Sequence, residues 1–247
     1  MIARFLNFFL TIFLFFNFGS IFSQNTDLPL NKLNKKGEKI GKWKVLHENS
    51  NQLRYSGQFE NNIPTGNFIY YYPSGNLSAK MKYKNDSVSY VSHYHDNGNF
   101  MGAGKFINKL KDSLWTIYNR QGQLIGKSFY DHGILNGVQE VFYAVDYHED
   151  LKLAERYYVE NGLKSGEWVQ FFMDGTTKAS GGYKEGSKTG EFIYYLQNGT
   201  IDEKGRYVNN LKEGKWLYYN GENNIYSEIN YIKGEPIKDN ETPNHEE

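Results

Sequence analysis

A glycine followed two residues later by an aromatic recurs along this chain at a nearly fixed interval, and that interval constrains the fold more than any other feature. Gly41-Lys-Trp43, Gly66-Asn-Phe68, Gly166-Glu-Trp168, Gly190-Glu-Phe192 and Gly214-Lys-Trp216 carry it outright. Ser89 with Val91, Ser113 with Trp115 and Gly137 with Gln139 are weaker copies. Positions 41, 66, 89, 113, 137, 166, 190 and 214 are separated by 25, 23, 24, 24, 29, 24 and 24 residues, the long step holding an insertion at 144–155. Self-similarity at such a period marks stacked supersecondary units, none of which buries its own apolar face alone.

Other columns keep the same register. Five residues after the anchor stand Leu46, Tyr71, Tyr94, Tyr118, Phe142, Phe171, Tyr195 and Tyr219. Nine after come Gly75, Gly98, Gly122, Gly175 and Gly199, mostly preceded by Asn, Asp or Ser; seventeen after come Tyr83, Phe106, Tyr130, Tyr183, Tyr207 and Tyr231. Asn-Gly and Asp-Gly accept the positive φ of tight hairpin turns, and the aromatics suit a pleated surface. No window carries a helical stripe, and glycine recurs too often for a long helix. The expectation is all-β: an elongated antiparallel meander of about eight β-hairpins over 37–234.

These columns resemble the MORN repeat, in particular the bacterial variant arrays, some of which carry an antitoxin-component label. The matching elements read Gly190-Glu-Phe192, Asn198-Gly199 and Gly205-Arg-Tyr207, or Gly166-Glu-Trp168, Asp174-Gly175 and Gly181-Gly-Tyr183. The resemblance spans Gly37 to Gly234. It implies a β-meander serving protein association or, in some members, membrane contact. Ser89, Val91, Ser113 and Gln139 depart from the pattern, so less regular central units are expected.

Side chains alternate faces along a strand, so an aromatic two after the anchor opposes one five after it. Either each first strand holds a bulge or both faces bear apolar rows. Under the second alternative Tyr71, Tyr94, Tyr118, Phe171, Tyr195 and Tyr219 form a candidate interaction surface, since tyrosine offers rigid area and a hydroxyl at modest entropy cost. Under the plainer reading they zip neighbouring hairpins.

Residues 1–23 place Arg4 before an apolar run and small residues after it, the order of a secretory signal peptide; an uncleaved N-terminal membrane anchor is the alternative. The expected location is periplasmic, cell-surface or secreted. Residues 24–36 read as a linker and 235–247 as a disordered acidic tail.

Composition narrows the chemistry. There is no cysteine among 247 residues, which excludes disulfides, thiolate metal sites and a cysteine nucleophile. Lys+Arg and Asp+Glu both number 28, which gives no net field toward nucleic acid. His93 and His95 are two apart, as metal ligands on one strand face would be, but they occupy columns filled elsewhere by Tyr70 and Tyr72 and no third ligand is visible. His148-Glu149-Asp150 is a charged loop tip. No nucleophile elbow or phosphate loop occurs. The sequence therefore points to an exported, non-enzymatic scaffold without cofactor or metal, engaging a protein partner through an aromatic β-surface. The alternative is a module binding carbohydrate or a membrane surface through Tyr and Trp rows.

Overall fold

The computed structural model describes residues 30–145 and 150–237. The expected signal at 1–23, most of the tail and the His148-Glu149 tip lie outside the described residues. The strands are β1 (Lys32–Leu33), β2 (Lys39–Leu46), β3 (Leu53–Glu60), β4 (Ile63–Tyr71), β5 (Leu77–Tyr83), β6 (Val88–Tyr94), β7 (Phe100–Ile107), β8 (Leu110–Tyr118) and β9 (Leu124–Asp131). They continue as β10 (Ile134–Leu135), β11 (Gly137–Phe142), β12 (Leu153–Glu160), β13 (Leu163–Phe171), β14 (Thr177–Lys184), β15 (Ser187–Tyr195), β16 (Ile201–Val208), β17 (Leu211–Tyr219), β18 (Ile225–Ile232) and β19 (Glu235–Pro236).

Each strand pairs antiparallel with the next, β10 and β11 sharing one place beside β9, in a single open sheet. The all-β meander is as the periodicity requires. Its edges reach further than the sequence suggests. β1 pairs with β2 inside the stretch read as a linker, and β19 pairs with β18 at the start of the tail. At the insertion Tyr143 N bonds Lys152 O at 2.9 Å, and Leu153 to Glu155 belong to β12.

Two turn types alternate. Within a unit, Gly75 sits at φ 88° and its N–H donates to Tyr72 O at 2.9 Å, closing a tight turn that ends in a left-handed residue. Between units, pairs such as Asn61-Asn62 and Asn209-Asn210 both take positive φ, the conformation matched to strand twist. The second residue of these turns also reaches the neighbouring unit: Gly186 N donates to Lys164 O at 2.8 Å and Gly234 N to Lys212 O at 2.9 Å.

Packing explains the glycine two residues before the Tyr/Phe column. A Cβ on Gly181 would lie 2.5 Å from Phe192, and one on Gly205 would lie 2.3 Å from Trp216. Phe68, Trp115, Phe192 and Trp216 thus lie flat on the preceding unit's glycine, which is what buries Phe192 and Trp216 in a single-layer sheet. Edge-to-face contacts continue the stack, Tyr207 standing 4.9 Å from Phe192 and 5.1 Å from Trp216. A lysine two residues before several anchors roofs the rings: Lys111 Nζ lies 4.6 Å from the Trp115 centroid and Lys212 Nζ 3.8 Å from that of Trp216.

The central units vary this scheme. Met81 replaces the glycine where Val91 replaces the aromatic, so large and small exchange places. Tyr157 replaces it beneath Trp168, whose indole N–H then donates to Glu155 at 2.6 Å, whereas the Trp115 and Trp216 indoles donate to the carbonyls of Lys105 and Arg206.

Candidate interaction face

The parity question resolves toward apolar rows on both faces, because from the anchor onward the first strands alternate regularly. Bulges lie instead at the anchor, against the preceding unit, and in the second strand beside the hairpin turn, where Tyr70 pairs with Ala79 but Tyr71 with Leu77, leaving Ser78 as a bulge. One face, the ring face, carries the residues two and four after each anchor. The opposite, open face carries those one, three and five after it.

The six residues proposed from sequence lie on the open face but are half-buried. Tyr71, Tyr118, Tyr195 and Tyr219 pair across the hairpin with Leu77, Leu124, Ile201 and Ile225, and Phe171 with Thr177. Tyr94 packs edge-on against Phe100 at 5.8 Å, with Lys80 Nζ 5.7 Å above its ring. These residues zip hairpins, as the plainer reading held; they are not a freely presented row. The anchors Gly41, Gly66, Gly166, Gly190 and Gly214 take φ between 66° and 78° with nothing within 4 Å, so they serve the bulge at each unit junction rather than packing. Trp43, Phe68, Trp115, Trp168, Phe192 and Trp216 lie on the ring face.

The presented surface is a different row of the open face. One residue after the anchor, its cross-strand partner beside it, the end units read Lys42 with Gln58, Asn67 with Lys82, Glu167 with Gly182, Glu191 with Arg206 and Lys215 with Asn230. The three central units read Tyr90 with Lys105, Leu114 with Phe129 and Val138 with Tyr158. Tyr90, Leu114, Phe129, Val138 and Tyr158 are between 43% and 50% exposed, an apolar stripe across the middle of an otherwise polar row. Phe129 and Tyr158 line a common depression, and a Cβ on Gly137 would touch Phe129 at 3.5 Å.

Beside the stripe lies an open trough of about 800 Å³, with Ile69, Tyr90 and Leu114 on its floor and Lys80, Lys82 and Lys105 around it. It coincides with a local break in the repeat. Every other junction between units slips register, but β5 and β6 pair continuously from Ala79–His93 to Tyr83–Ser89, because Ser89 lacks the left-handed glycine that makes the bulge. The departure at Ser89 thus makes the ladder locally more regular. Ser113, by contrast, keeps the bulge at φ 60°.

The ionisable residues near the stripe have partners of their own. His93 stacks on Trp115 at 6.5 Å, and burial, followed by the nearby charge of Lys111, lowers its pKa. His95 Nε2 donates to Tyr118 O at 3.0 Å, as Tyr72 Oη does to Tyr94 O at 2.8 Å. Their metal-pair alternative is thereby replaced by two separate packing roles. Among the described residues one group of three potential ligands converges, Asp112, Asp131 and His132. Asp112 already accepts from Ser113 Oγ at 2.7 Å and from Lys105 Nζ at 3.4 Å, and the Ser113 bond leads the causes that lower its pKa.

Sequence reasoning missed the stripe because it sought what the units share. The signal was in a column where they differ, the residue directly after each anchor.

No family model matches the chain, and no curated protein matches it. Among solved structures, TarM matches at 15% identity and TM-score 0.30, covering 49% of this chain and 20% of that chain. A glycine-to-arginine mutant of S. aureus TarM in complex with Fondaparinux, alpha-GlcNAc-glycerol and UDP matches at 14% identity and TM-score 0.30, covering 49% and 21%. The chain spans about a fifth of those proteins' length, and so loose an overlap carries no argument about activity.

Proposed function

We propose that this protein is an exported, non-enzymatic scaffold, a MORN-like hairpin array that binds a protein partner through its open face. The observation that carries the reading is the change of one row from polar to apolar over three consecutive units. Nothing in the sheet's own packing needs it: the end units fold with Lys, Asn or Glu in the same places. Half-exposed Tyr, Phe and Leu flanked by charged rims are the composition of a binding surface. A carbohydrate module calls instead for a local groove edged by Asn, Asp or Glu, whereas the band here crosses several units and its trough is edged by Lys80, Lys82 and Lys105 with Asn67 the one residue of that kind.

The test is capture from an extracytoplasmic fraction with the native chain and with a Tyr90→Ser, Leu114→Ser, Phe129→Ser variant. These side chains are outside the ring stack, so the fold should survive with a loss of about 1 kcal/mol or less per substitution while the bound protein is lost. Retention of the same proteins by the variant, or a glycan array that binds while no protein does, would reject the reading.

A further inference from the structure

We infer that the occupant of the open face is an acidic polypeptide segment carrying apolar anchors; this rests on the protein-binding reading and narrows it to a partner chemistry. Although the whole chain is neutral, its charges are unevenly placed. On the open-face rows of the first three units stand Lys42, Lys44, Lys80, Lys82 and Lys105; the nearest carboxylates on that face are Glu60 at the end of β3 and Asp112, which pairs directly with Lys105. Lys105 alone among them has an ion-pair partner, Asp112. Lys42, Lys44, Lys80 and Lys82 are exposed and form no salt bridge among the described residues. Further acids stand on these rows from Glu140 onward, and Glu140 is already held by Lys127 at 3.7 Å and Arg156 at 2.8 Å.

Like charges on one face of a sheet repel, so a field in which lysines outnumber carboxylates disfavours the free fold slightly and is neutralised by an anionic partner. The field adjoins the trough, whose floor of Ile69, Tyr90 and Leu114 leads into the stripe. A ligand using both must alternate carboxylates with apolar groups along its length. A polypeptide does so, whereas an acidic polysaccharide offers no side chains for the floor and a lipid headgroup does not extend along it. The span is set by strand spacing: from β2 to β8 is six steps of about 4.8 Å, roughly 29 Å, which about nine extended residues cover.

The experiment titrates the full chain with a fluorescent synthetic peptide of about nine residues alternating Glu and Leu, against the same peptide with Lys for Glu, at low and high salt. The expected result is a preference for the Glu peptide of about tenfold or more at low salt, shrinking at high salt, since exposed charges steer specificity and are screened. Lys80→Glu with Lys82→Glu should erase or reverse the preference, while Leu114→Ser should weaken both peptides and leave the preference intact. Equal affinity for both peptides, or a preference that the lysine variant does not alter, would overturn the inference. So would tighter binding of heparin or phosphatidylglycerol vesicles than of the Glu peptide, or self-association abolished by the lysine variant. Failure here is separable from failure of the scaffold reading: loss of the captured protein in the Tyr90, Leu114 and Phe129 variant, with capture intact in the lysine variant, leaves the scaffold and removes only the acidic chemistry.

Discussion

At the residue scale the most exacting positions are glycines beneath aromatic rings. A Cβ on Gly205 would stand 2.3 Å from Trp216, far inside contact distance, and Trp216 is wedged between Tyr207 and Tyr231. Gly205→Ala should therefore destabilise by about 1–3 kcal/mol through overpacking. Combining it with Trp216→Val, after the Met81–Val91 arrangement, should cost less than the two single changes summed; a denaturant double-mutant cycle measures the coupling. Additive costs would mean the ring does not rest on the glycine. His93 makes a second residue-level prediction. Its folded pKa lies below the ordinary 6.5, burial being the main cause and Lys111 the second. The unfolded chain then binds the proton more readily, so the neutral ring's contribution is complete above about pH 6.5 and declines as pH falls below it. His93→Tyr, the residue that Tyr70 supplies in the same column, should remove that part of the slope in melting temperature between pH 7 and 5.

At the scale of the hairpin, units are fastened at both ends by different devices. At one end the two-residue turns donate to the neighbouring carbonyls of Lys39, Lys111, Lys164, Lys188 and Lys212, the residues whose side chains roof the rings. At the other, side chains six after the anchor reach the next unit's backbone: His47 to Tyr71 O at 3.0 Å, Tyr72 to Tyr94 O at 2.8 Å, Tyr143 to Phe171 O at 2.8 Å. Tyr72→Phe deletes one such staple and should cost about 0.5–1.5 kcal/mol. Hydrogen exchange should quicken at Asn99 and its hairpin, and exchange quickened equally at β17 would contradict a local staple. What was legible from sequence falls at this level. Period, turn chemistry and aromatic columns follow from backbone and ring sterics acting alike in every copy, so they appear as repetition. The lysine roof and the missing bulge at Ser89 depend on which side chains meet between units, and the Ser78 bulge on the hairpin turn beside it. The stripe at Tyr90, Leu114 and Val138 shows only once the strand faces are assigned, because it is an exception to the repetition.

At the scale of the whole molecule the described residues form no single central core. Buried side chains fall into separate clusters, one around Ala79, Val91 and Trp115, another around Trp168, Ala179 and Phe192. Stability is then close to a sum over neighbouring interfaces, and damage should stay near its origin. Trp168 tests this most directly. Its ring stands 5.7 Å from Phe192 and 6.0 Å from Tyr183, and its N–H is bound to Glu155, which keeps Lys164 as a partner at 2.7 Å when the indole is removed. Because no charge is orphaned, Trp168→Ala reports lost ring packing, expected at about 3–5 kcal/mol. Amide protection should collapse from Gly162 to Tyr207, fade across β17 and β18, and remain near native around Trp43 and Phe68. The apolar stripe lies on the near side of that gradient, so partner binding should weaken less than stability does, the loss being confined to Val138 and Tyr158. Uniform loss of protection along the chain would instead require cooperative coupling through all eight units, which the separate clusters give no means to transmit.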